Sequence, residues 1–250
     1  MGSKTKKRIS NGVKKKRIVI KLSGEVMEHG DQEANLDFAK IFKLADSLKI
    51  LSKKGYQIAV VIGGGNIFRA RMLKNMEIDR VVADHIGMTA TMINSMALKA
   101  VLEKMNQPVK VLSPFVIPSM MSAYSPRRAN DYLNKKHIII LAAGTGKPYF
   151  TTDTALVLRA SEIGAEYIYK ATNVRGVYNK DPDKYKNAKF YKNLSYRQAL
   201  KENLKVMDAT AFALARDNKM NLRIFKYSPS NLVKAVVQNS IGTKVTNESS

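Results

Sequence analysis

Residues 17–24 read RIVIKLSG, and this stretch decides the predicted architecture. Its run of apolar, mostly β-branched residues predicts a short strand buried on both faces, and Ser23-Gly24 ends that strand in a turn. Residues 57–65, QIAVVIGGG, repeat the same arrangement. Between the two, apolar residues recur every three or four positions from about Asp37, which predicts a helix. Strands joined by a helix pair in parallel through a right-handed crossover.

The alternation of strands and helices continues along the chain. It predicts an α/β fold, specifically a three-layer α/β/α sandwich with a mainly parallel central sheet. The polar stretch 179–189 predicts a loop, and Ser195 with Gln198 predicts a capping box at a short helix. Further strands are predicted at 109–112, 137–143, 167–170, 221–227 and 244–246, and further helices at 80–104, 128–133, from Thr151 or Thr152, from Asp208 through Lys219, and at 231–239.

Glycine-rich segments follow three of the predicted strands. They are Ser23-Gly24, Gly63–Gly65 and Gly144–Gly146. In open parallel sheets, ligands bind beyond the carboxyl ends of the strands, where these segments should lie. Three such loops are more than folding requires, so the sequence predicts a ligand site at this edge.

Charge is the unusual feature of the composition. Apolar residues make up 45% and charged residues 25% of the 250 residues, as in ordinary globular proteins, but the formal net charge is +23. Residues 1–15 are rich in lysine and arginine without an acidic residue, which predicts a basic, disordered tail. A nucleic-acid-binding regulatory protein is one interpretation of this charge. The lysines of the remaining chain are scattered without interleaved aromatic residues, which favours small polyanions such as nucleotides instead.

Several other classes of site are excluded by the motifs. The chain has no cysteine, and its three histidines lack metal-ligand spacing. Gly63-x-Gly65 is followed by Phe68 where a dinucleotide fingerprint needs glycine, and Gly146-Lys147 is followed by Pro148 where a P-loop needs Ser or Thr. No apolar run is long enough to span a bilayer. What remains is phosphate chemistry.

Lys21 is the first candidate for that chemistry, because a lysine inside an apolar strand must reach an anion or solvent. Gly63–Gly65 could aim backbone N–H groups at phosphate oxygens, and Arg69 could bind two of them in a fork. Each of these has a simpler alternative. Lys21 could extend its ammonium group to solvent, Gly63–Gly65 could form a tight turn, and Arg69 could be an ordinary exposed arginine.

Three aspartates lie at predicted helix starts. Asp84 could accept hydrogen bonds from sugar hydroxyls, or could simply interact with the helix dipole. Asp153 and Asp208 could orient a lysine or hold Mg²⁺ through water, although capping is the simpler interpretation of both. The loop 145–152, which runs into a helix N-terminus, is a further anion-binding candidate.

Six sequence blocks carry a family resemblance. Residues 21–25 (KLSGE), 62–69 (IGGGNIFR) and 142–146 (AAGTG) resemble the amino-acid-kinase superfamily. Residues 79–88, 148–153 and 205–208 more narrowly resemble the bacterial uridylate (UMP) kinases. The resemblance covers about residues 16–246 and leaves the basic tail unexplained.

The resemblance implies transfer of the γ-phosphoryl group of MgATP to UMP, giving UDP and ADP. It implies one domain over 16–248, with an acceptor-side half at about 16–165 and an ATP-side half at about 166–248. Mg²⁺ is expected to be held mainly by the ATP phosphates, with Asp208 as a further candidate and Lys170 as a second organising group. The implied catalytic residues are Lys21, Arg69 and Asp208; the implied ATP-binding residues are Lys21, Leu22, Ser23, Gly24, Gly65, Arg69, Thr172, Tyr178 and Asp181; and the implied UMP-binding residues are Gly64, Asp84, Thr145, Gly146, Lys147, Pro148, Tyr149, Phe150, Thr151 and Thr152.

The resemblance also implies a cytoplasmic homohexamer inhibited by UTP, with the 80–104 helix at an interface. The loop 26–35 lacks the glycine-rich stretch of GTP-activated relatives, and Lys99, Lys110 and His137 stand where those relatives carry arginines. We therefore expect weak or absent GTP activation. An acyl- or carbamoyl-acceptor kinase of the same fold is the alternative enzyme, but a small acid acceptor would need no ribose contact from Asp84.

Overall fold

The computed structural model describes residues 16–28, 36–69 and 77–247. The predicted basic tail 1–15 and residues 29–35 of the loop 26–35 lie outside the described residues. Within the described ranges the strands are β1 (Arg17–Leu22), β2 (Gln57–Ile62), β3 (Val109–Ser113), β4 (Ser122–Ala123), β5 (Ile138–Leu141), β6 (Tyr167–Thr172), β7 (Val177–Tyr178), β8 (Phe190–Tyr191), β9 (Asn193–Ser195), β10 (Asn221–Lys226) and β11 (Thr243–Thr246). The helices are α1 (Phe38–Lys53), α2 (Arg80–Lys104), α3 (Pro126–Asn134), α4 (Thr152–Glu162), α5 (Tyr196–Lys201), α6 (Ala209–Asp217) and α7 (Pro229–Val237), with a 3₁₀ turn at Gly24–Met27.

Nine of these strands form one sheet in the order β4-β3-β5-β2-β1-β6-β10-β11-β9. In this sheet order, each strand from β4 through β3, β5, β2, β1 and β6 to β10 pairs in parallel with the next strand. Strand β11 pairs antiparallel with β10. Strand β1 lies between β2 and β6, so its carboxyl end is at the centre of the sheet edge. The mainly parallel sheet is confirmed.

Helices cover both faces of the sheet and bury two apolar clusters. Ile18 and Ile20 of β1 belong to the cluster under α1, α2 and α7, whereas Val19 belongs to the cluster under α3 to α6. This alternation is the period-two pattern of a strand buried on both faces. The α/β/α sandwich is therefore confirmed. Met88 and Met92 of α2 are buried in the first cluster.

The structure departs from the sequence predictions at a few places. The strand predicted over 137–143 ends at Leu141, since Ala143 and Gly144 both take φ of 58°. Ser195 caps α5 by accepting the Gln198 N–H at 3.1 Å, but the Gln198 side chain donates to Glu202 instead of returning to Ser195. The capping box is thus only half formed. No helix among the described residues is both long enough and apolar enough to cross a membrane.

Candidate active site

The glycine-rich loops meet at one edge of the sheet, as predicted. The N–H of Gly63 donates to Leu22 O at 2.9 Å, which joins the loop after β2 to the end of β1. A Cβ on Gly24 would lie 2.8 Å from Gly63 O and 2.1 Å from Asn66 Oδ1. Only glycine allows this close approach.

Two lysines and an aspartate form a buried charged cluster at this edge. Lys21 of β1 and Lys170 of β6 are direct neighbours across the parallel ladder. Asp153 lies in the first turn of α4 and ion-pairs with both: its Oδ1 is 3.4 Å from Lys21 Nζ, and its Oδ2 accepts a hydrogen bond from Lys170. The side chains of Lys21, Asp153 and Lys170 are 13%, 13% and 7% exposed. We call these three residues the lysine–aspartate cluster.

The cluster has perturbed proton affinities. Burial alone would raise the pKa of Asp153, but the charges of Lys21 and Lys170 outweigh it and lower that pKa. Burial lowers the pKa of Lys170 to about 8, with attraction to Asp153 opposing the shift. The structure therefore corrects the capping interpretation of Asp153. Thr151 caps α4 instead, because its hydroxyl accepts the N–H groups of Asp153 and Thr154.

A cleft of about 410 Å³, which we call the acceptor cleft, includes Thr151 and Thr152, the two residues that precede Asp153 in the chain. Its walls contain most of the residues predicted to contact UMP, together with Gly65 and Arg69. Of the predicted loop 145–152, residues 146–149 lie outside these walls. The walls also include residues that were not among the predicted UMP-binding or ATP-binding residues, although most of them belong to the sequence blocks that carry the family resemblance. The predicted UMP residues in the walls are Gly64, Asp84, Thr145, Phe150, Thr151 and Thr152. The walls also contain Gly144, from a glycine-rich segment predicted to lie at the ligand site, and the residues Phe68, Met88, Thr91 and Ala143.

Asp84 fixes the far end of the loop 145–152. Its Oδ2 accepts the backbone N–H of Tyr149 at 2.7 Å and lies 3.7 Å from Arg80 Nε. Tyr149 takes a left-handed φ of 71°, and the Arg80 guanidinium stacks over its ring at 4.7 Å. One carboxylate oxygen of Asp84 thus holds the loop, and Asp84 itself lines the acceptor cleft.

Arg69 is held within the protein. Its Nε donates to Gly65 O at 2.6 Å, and its Nη2 ion-pairs with Glu25. The other oxygen of Glu25 accepts a hydrogen bond from Asn173 at 2.8 Å. Arg69 therefore reaches the acceptor cleft already partnered, and a phosphate would have to share it with Glu25.

Asp208 joins α6 to α4. Its Oδ1 accepts from Ala211 N at 2.8 Å and from Thr154 Oγ1 at 3.0 Å, and its Oδ2 accepts from the Thr151 hydroxyl. The predicted cap on α6 is confirmed. Both carboxylate oxygens are engaged, so these contacts account for Asp208 without a metal ion.

Two more clefts continue from the acceptor cleft. The middle cleft, about 400 Å³, shares Thr151 and Thr152 with the acceptor cleft and includes Asp153 and Asp208. The hairpin cleft, about 420 Å³, shares residues 203–205 with the middle cleft. Its lining includes Tyr178 and Asp181, two of the residues predicted to bind ATP, but not Thr172, whose hydroxyl donates to Val174 O at 2.8 Å. The three clefts share walls and form one groove, and Asp153 is the member of the lysine–aspartate cluster that lines it, in the middle cleft.

Comparisons with known proteins agree with this geometry. The model of the amino acid kinase family matches residues 16–226. A uridylate kinase from Dichelobacter nodosus is 42% identical over 231 residues, covering 92% of this chain and 95% of that protein. One from Xanthomonas oryzae pv. oryzae is 46% identical over 235 residues, covering 94% and 98%. The crystal structure of UMP kinase from Ureaplasma parvum has a TM-score of 0.87 and 39% identity, covering 93% of this chain and 99% of that one.

These matches span nearly the whole groove, from β1 through β10. They confirm the superfamily resemblance that the sequence blocks carry. The chain belongs to the amino acid kinase family.

Proposed function

We propose that this chain is an ATP-dependent UMP kinase, which transfers the γ-phosphoryl group of ATP to UMP and releases UDP and ADP. The observation that carries the proposal is the lysine–aspartate cluster. Its Asp153 lines the middle cleft and directly follows Thr151 and Thr152, the two residues that this cleft shares with the acceptor cleft. Two nucleotides bound in adjoining clefts would present their phosphates to the same pair of ammonium groups. The names of the related proteins, uridylate kinase and UMP kinase, agree with this arrangement.

Charge neutralisation and positioning supply the catalysis in this proposal. Phosphoryl transfer through a loose transition state needs little covalent chemistry from the protein. Lys21 would stabilise charge on the transferring phosphoryl oxygens, and Lys170 would add a second positive charge. Asp153 would hold both ammonium groups in place before substrate binds. Arg69 and the backbone of Ser23-Gly24 and Gly65 would complete the phosphate contacts.

Mg²⁺ fits this site as a partner of the nucleotide. No group of three or more acidic or histidine side chains suited to a metal ion occurs among the described residues. Mg²⁺ retains waters and binds through substrate phosphates plus one or two carboxylates, so a protein cage is not required. When bound, it neutralises charge on the phosphate oxygens. Asp208 would hold it through a water, because both of its oxygens already accept protein hydrogen bonds.

The two halves of the groove bind different nucleotides in this proposal. UMP occupies the acceptor cleft in the half 16–165, with Asp84 accepting hydrogen bonds from the ribose hydroxyls. Residues 145–152 bind its phosphate and base. ATP extends from the cluster into the half 166–248, where Tyr178 and Asp181 line the hairpin cleft. Thr172 would contact ATP only if its hydroxyl left Val174 O.

Self-association would cover an apolar stripe on α2. Ile86 and Ile93 are 39% and 46% exposed, and Val82, one turn before Ile86, is 49% exposed. These side chains recur at helical spacing on a face that no described element covers. We expect a homohexamer with this stripe at an interface, checked by sedimentation equilibrium; a monomer at micromolar concentration would contradict it.

The remaining expectations concern regulation and location. We propose a cytoplasmic enzyme that UTP inhibits in competition with UMP and that GTP activates weakly or not at all. In the structure Lys99 lies 3.6 Å from Glu103, so its charge is already partnered. Several-fold activation by GTP at saturating ATP would contradict the expectation. Deletion of residues 1–15 should leave turnover unchanged, whereas a nucleic-acid-binding protein would lose affinity for random DNA or RNA.

A coupled ADP-release assay tests the proposed reaction. MgATP is offered with UMP, CMP, dUMP, acetylglutamate or aspartate in separate reactions. We expect turnover with UMP that falls by roughly 10²–10³-fold in Lys21→Ala, as for loss of one preorganised electrostatic group. Turnover with acetylglutamate or aspartate would favour the acid-acceptor kinase. No turnover with any acceptor would favour the nucleic-acid-binding alternative.

A further inference from the structure

Arg159 is a buried arginine near the end of α4, and the groove does not account for it. Its side chain is only 7% exposed, and it does not line the acceptor cleft. Burial of a guanidinium is costly unless its donors are satisfied. The contacts of Arg159 therefore indicate what the residue is built to hold.

Those contacts point at the acceptor loop, which we define as residues 142–146. The Nη2 of Arg159 lies 3.3 Å from both Gly144 O and Thr145 O. Its Nη1 donates to Glu162 Oε2 at 2.8 Å, one turn along the same helix. One planar group thus ties two successive carbonyls of the loop to α4.

Tyr124 completes the support of this guanidinium. Its ring lies beneath Arg159 with 4.0 Å from the guanidinium carbon to the ring centroid, and its hydroxyl donates to Glu162 Oε2 at 2.6 Å. Burial raises the pKa of Tyr124, and the hydrogen bond to Glu162 raises it further, so the hydroxyl stays protonated as a donor. Stacking on one face and ion pairing at one edge leave Arg159 a single orientation.

The acceptor loop needs such support because one of its residues, Ala143, holds a strained backbone conformation. Ala143, Gly144 and Gly146 have φ of 58°, 58° and 76°, and Ala143 has a Cβ that disfavours this region. On the side of α2, the Thr91 hydroxyl accepts the Ala143 N–H at 2.8 Å. Arg159 holds the same loop from the side of α4.

We propose that Arg159 is a positioning residue for the acceptor nucleotide: it fixes the acceptor loop through the Gly144 and Thr145 carbonyls, and Glu162 and Tyr124 fix Arg159. Gly144 and Thr145 line the acceptor cleft, so displacement of their carbonyls would alter the surface that meets the acceptor. The inference rests on the proposed UMP kinase function. It extends that function to a cluster outside the groove.

Steady-state kinetics of full-length Arg159→Lys test this role. Lysine keeps the charge but lacks the planar fork that spans Glu162 and two carbonyls. We expect KM for UMP to rise by at least about tenfold, as for a small misplacement of a positioning element, while KM for ATP changes less than about twofold. The matched control is Arg216→Lys, on an exposed arginine paired with the adjacent Asp217; neither KM should change.

Tyr124→Phe is the second variant, chosen because it keeps the ring beneath Arg159 and removes only the hydroxyl. It should raise KM for UMP in the same direction by a smaller factor, even if Arg159→Lys fails to fold. Equal rises in both KM values, or a loss of melting temperature without a change in either KM, would overturn the inference. If the wild-type enzyme turns over UMP and both variants match it, the inference alone fails. If the wild type turns over no UMP, both the proposed function and the inference that rests on it are wrong.

Discussion

Replacement of Asp153 by asparagine removes the single negative charge between two buried lysines. Charges 3.4 Å apart, as for Asp153 and Lys21, attract by about 5 kcal/mol at an effective dielectric constant of about 20. Asparagine keeps the shape of the side chain, so the change isolates the charge. The two ammonium groups would then face each other, with Asp208 as the remaining carboxylate that acts on Lys170.

The protein can limit this cost by releasing a proton. Lys170 has a pKa of about 8 because it is buried, and loss of Asp153 would lower that pKa further. One pKa unit corresponds to about 1.4 kcal/mol, so the free-energy cost of deprotonating Lys170 at pH 7 is small. We therefore expect Asp153→Asn to lower the free energy of unfolding by about 3 kcal/mol at pH 7, the lower end for breaking a buried ion pair.

The dependence of this loss on pH identifies its cause. In the wild type Lys170 is mostly charged at pH 7 and mostly neutral at pH 9, whereas in the variant it should be neutral at both. The unfolded lysine stays protonated over this range, so the variant gains stability relative to the wild type as pH rises. The loss caused by Asp153→Asn should shrink by about 1.4 kcal/mol between pH 7 and pH 9.

Urea unfolding at the two pH values measures both quantities. Asp217→Asn serves as control, because Asp217 is exposed and paired with its neighbour Arg216, and its loss should stay within about 0.5 kcal/mol. At pH 7 the double variant Asp153→Asn with Lys170→Met should be more stable than Asp153→Asn alone. An equal loss at pH 7 and pH 9, or no loss at either, would refute the reasoning.

Three further predictions concern the groove. Asp84→Asn should raise KM for UMP about tenfold with KM for ATP unchanged, because one charged hydrogen-bond acceptor is lost; equal changes in both KM values would argue against a ribose contact. Gly64→Ala should destabilise the protein by about 1–3 kcal/mol in urea unfolding, since its Cβ would lie 2.7 Å from Ala90 Cβ. Gly63→Ala, whose nearest contact would be 3.4 Å, is the milder control, and an equal loss in both variants would contradict the packing argument. Raising the pH above about 8 should lower kcat/KM for MgATP, because Lys170 of the free enzyme loses its proton. A value of kcat/KM that stays constant up to about pH 9.5 would show that Lys170 does not bind phosphate.

The centre of the fold could be predicted from the sequence because its signals are local. The strands β1 and β2 end at the predicted residues, where apolar runs meet Ser23 and Gly63. Helix α2 spans 80–104 as predicted. The short strands β4 and β7 to β9 could not be predicted, because two or three residues do not establish a periodic pattern. The antiparallel pairing of β11 likewise depends on tertiary packing.

The sequence could predict which residues belong to the site, but not which of their side chains contact one another. A lysine in an apolar strand needs an anion, so the sequence alone points to Lys21, and the structure identifies that anion as Asp153. The sequence favoured capping for both Asp153 and Asp208, which is right for Asp208 and wrong for Asp153. Distinguishing them requires the register that puts Lys21 beside Lys170. Arg159 had no local signal, since its partners Tyr124 and Gly144 are distant in sequence.

The destination of the labelled phosphoryl group tests the central claim most directly. The enzyme is incubated with Mg²⁺, ATP labelled with ³²P at the γ position, and UMP, and the products are separated by chromatography. The account predicts that label leaves ATP and appears in UDP, in equal amount to the ADP formed and dependent on UMP. Label appearing only in inorganic phosphate, or remaining in ATP while UMP is bound, would contradict it.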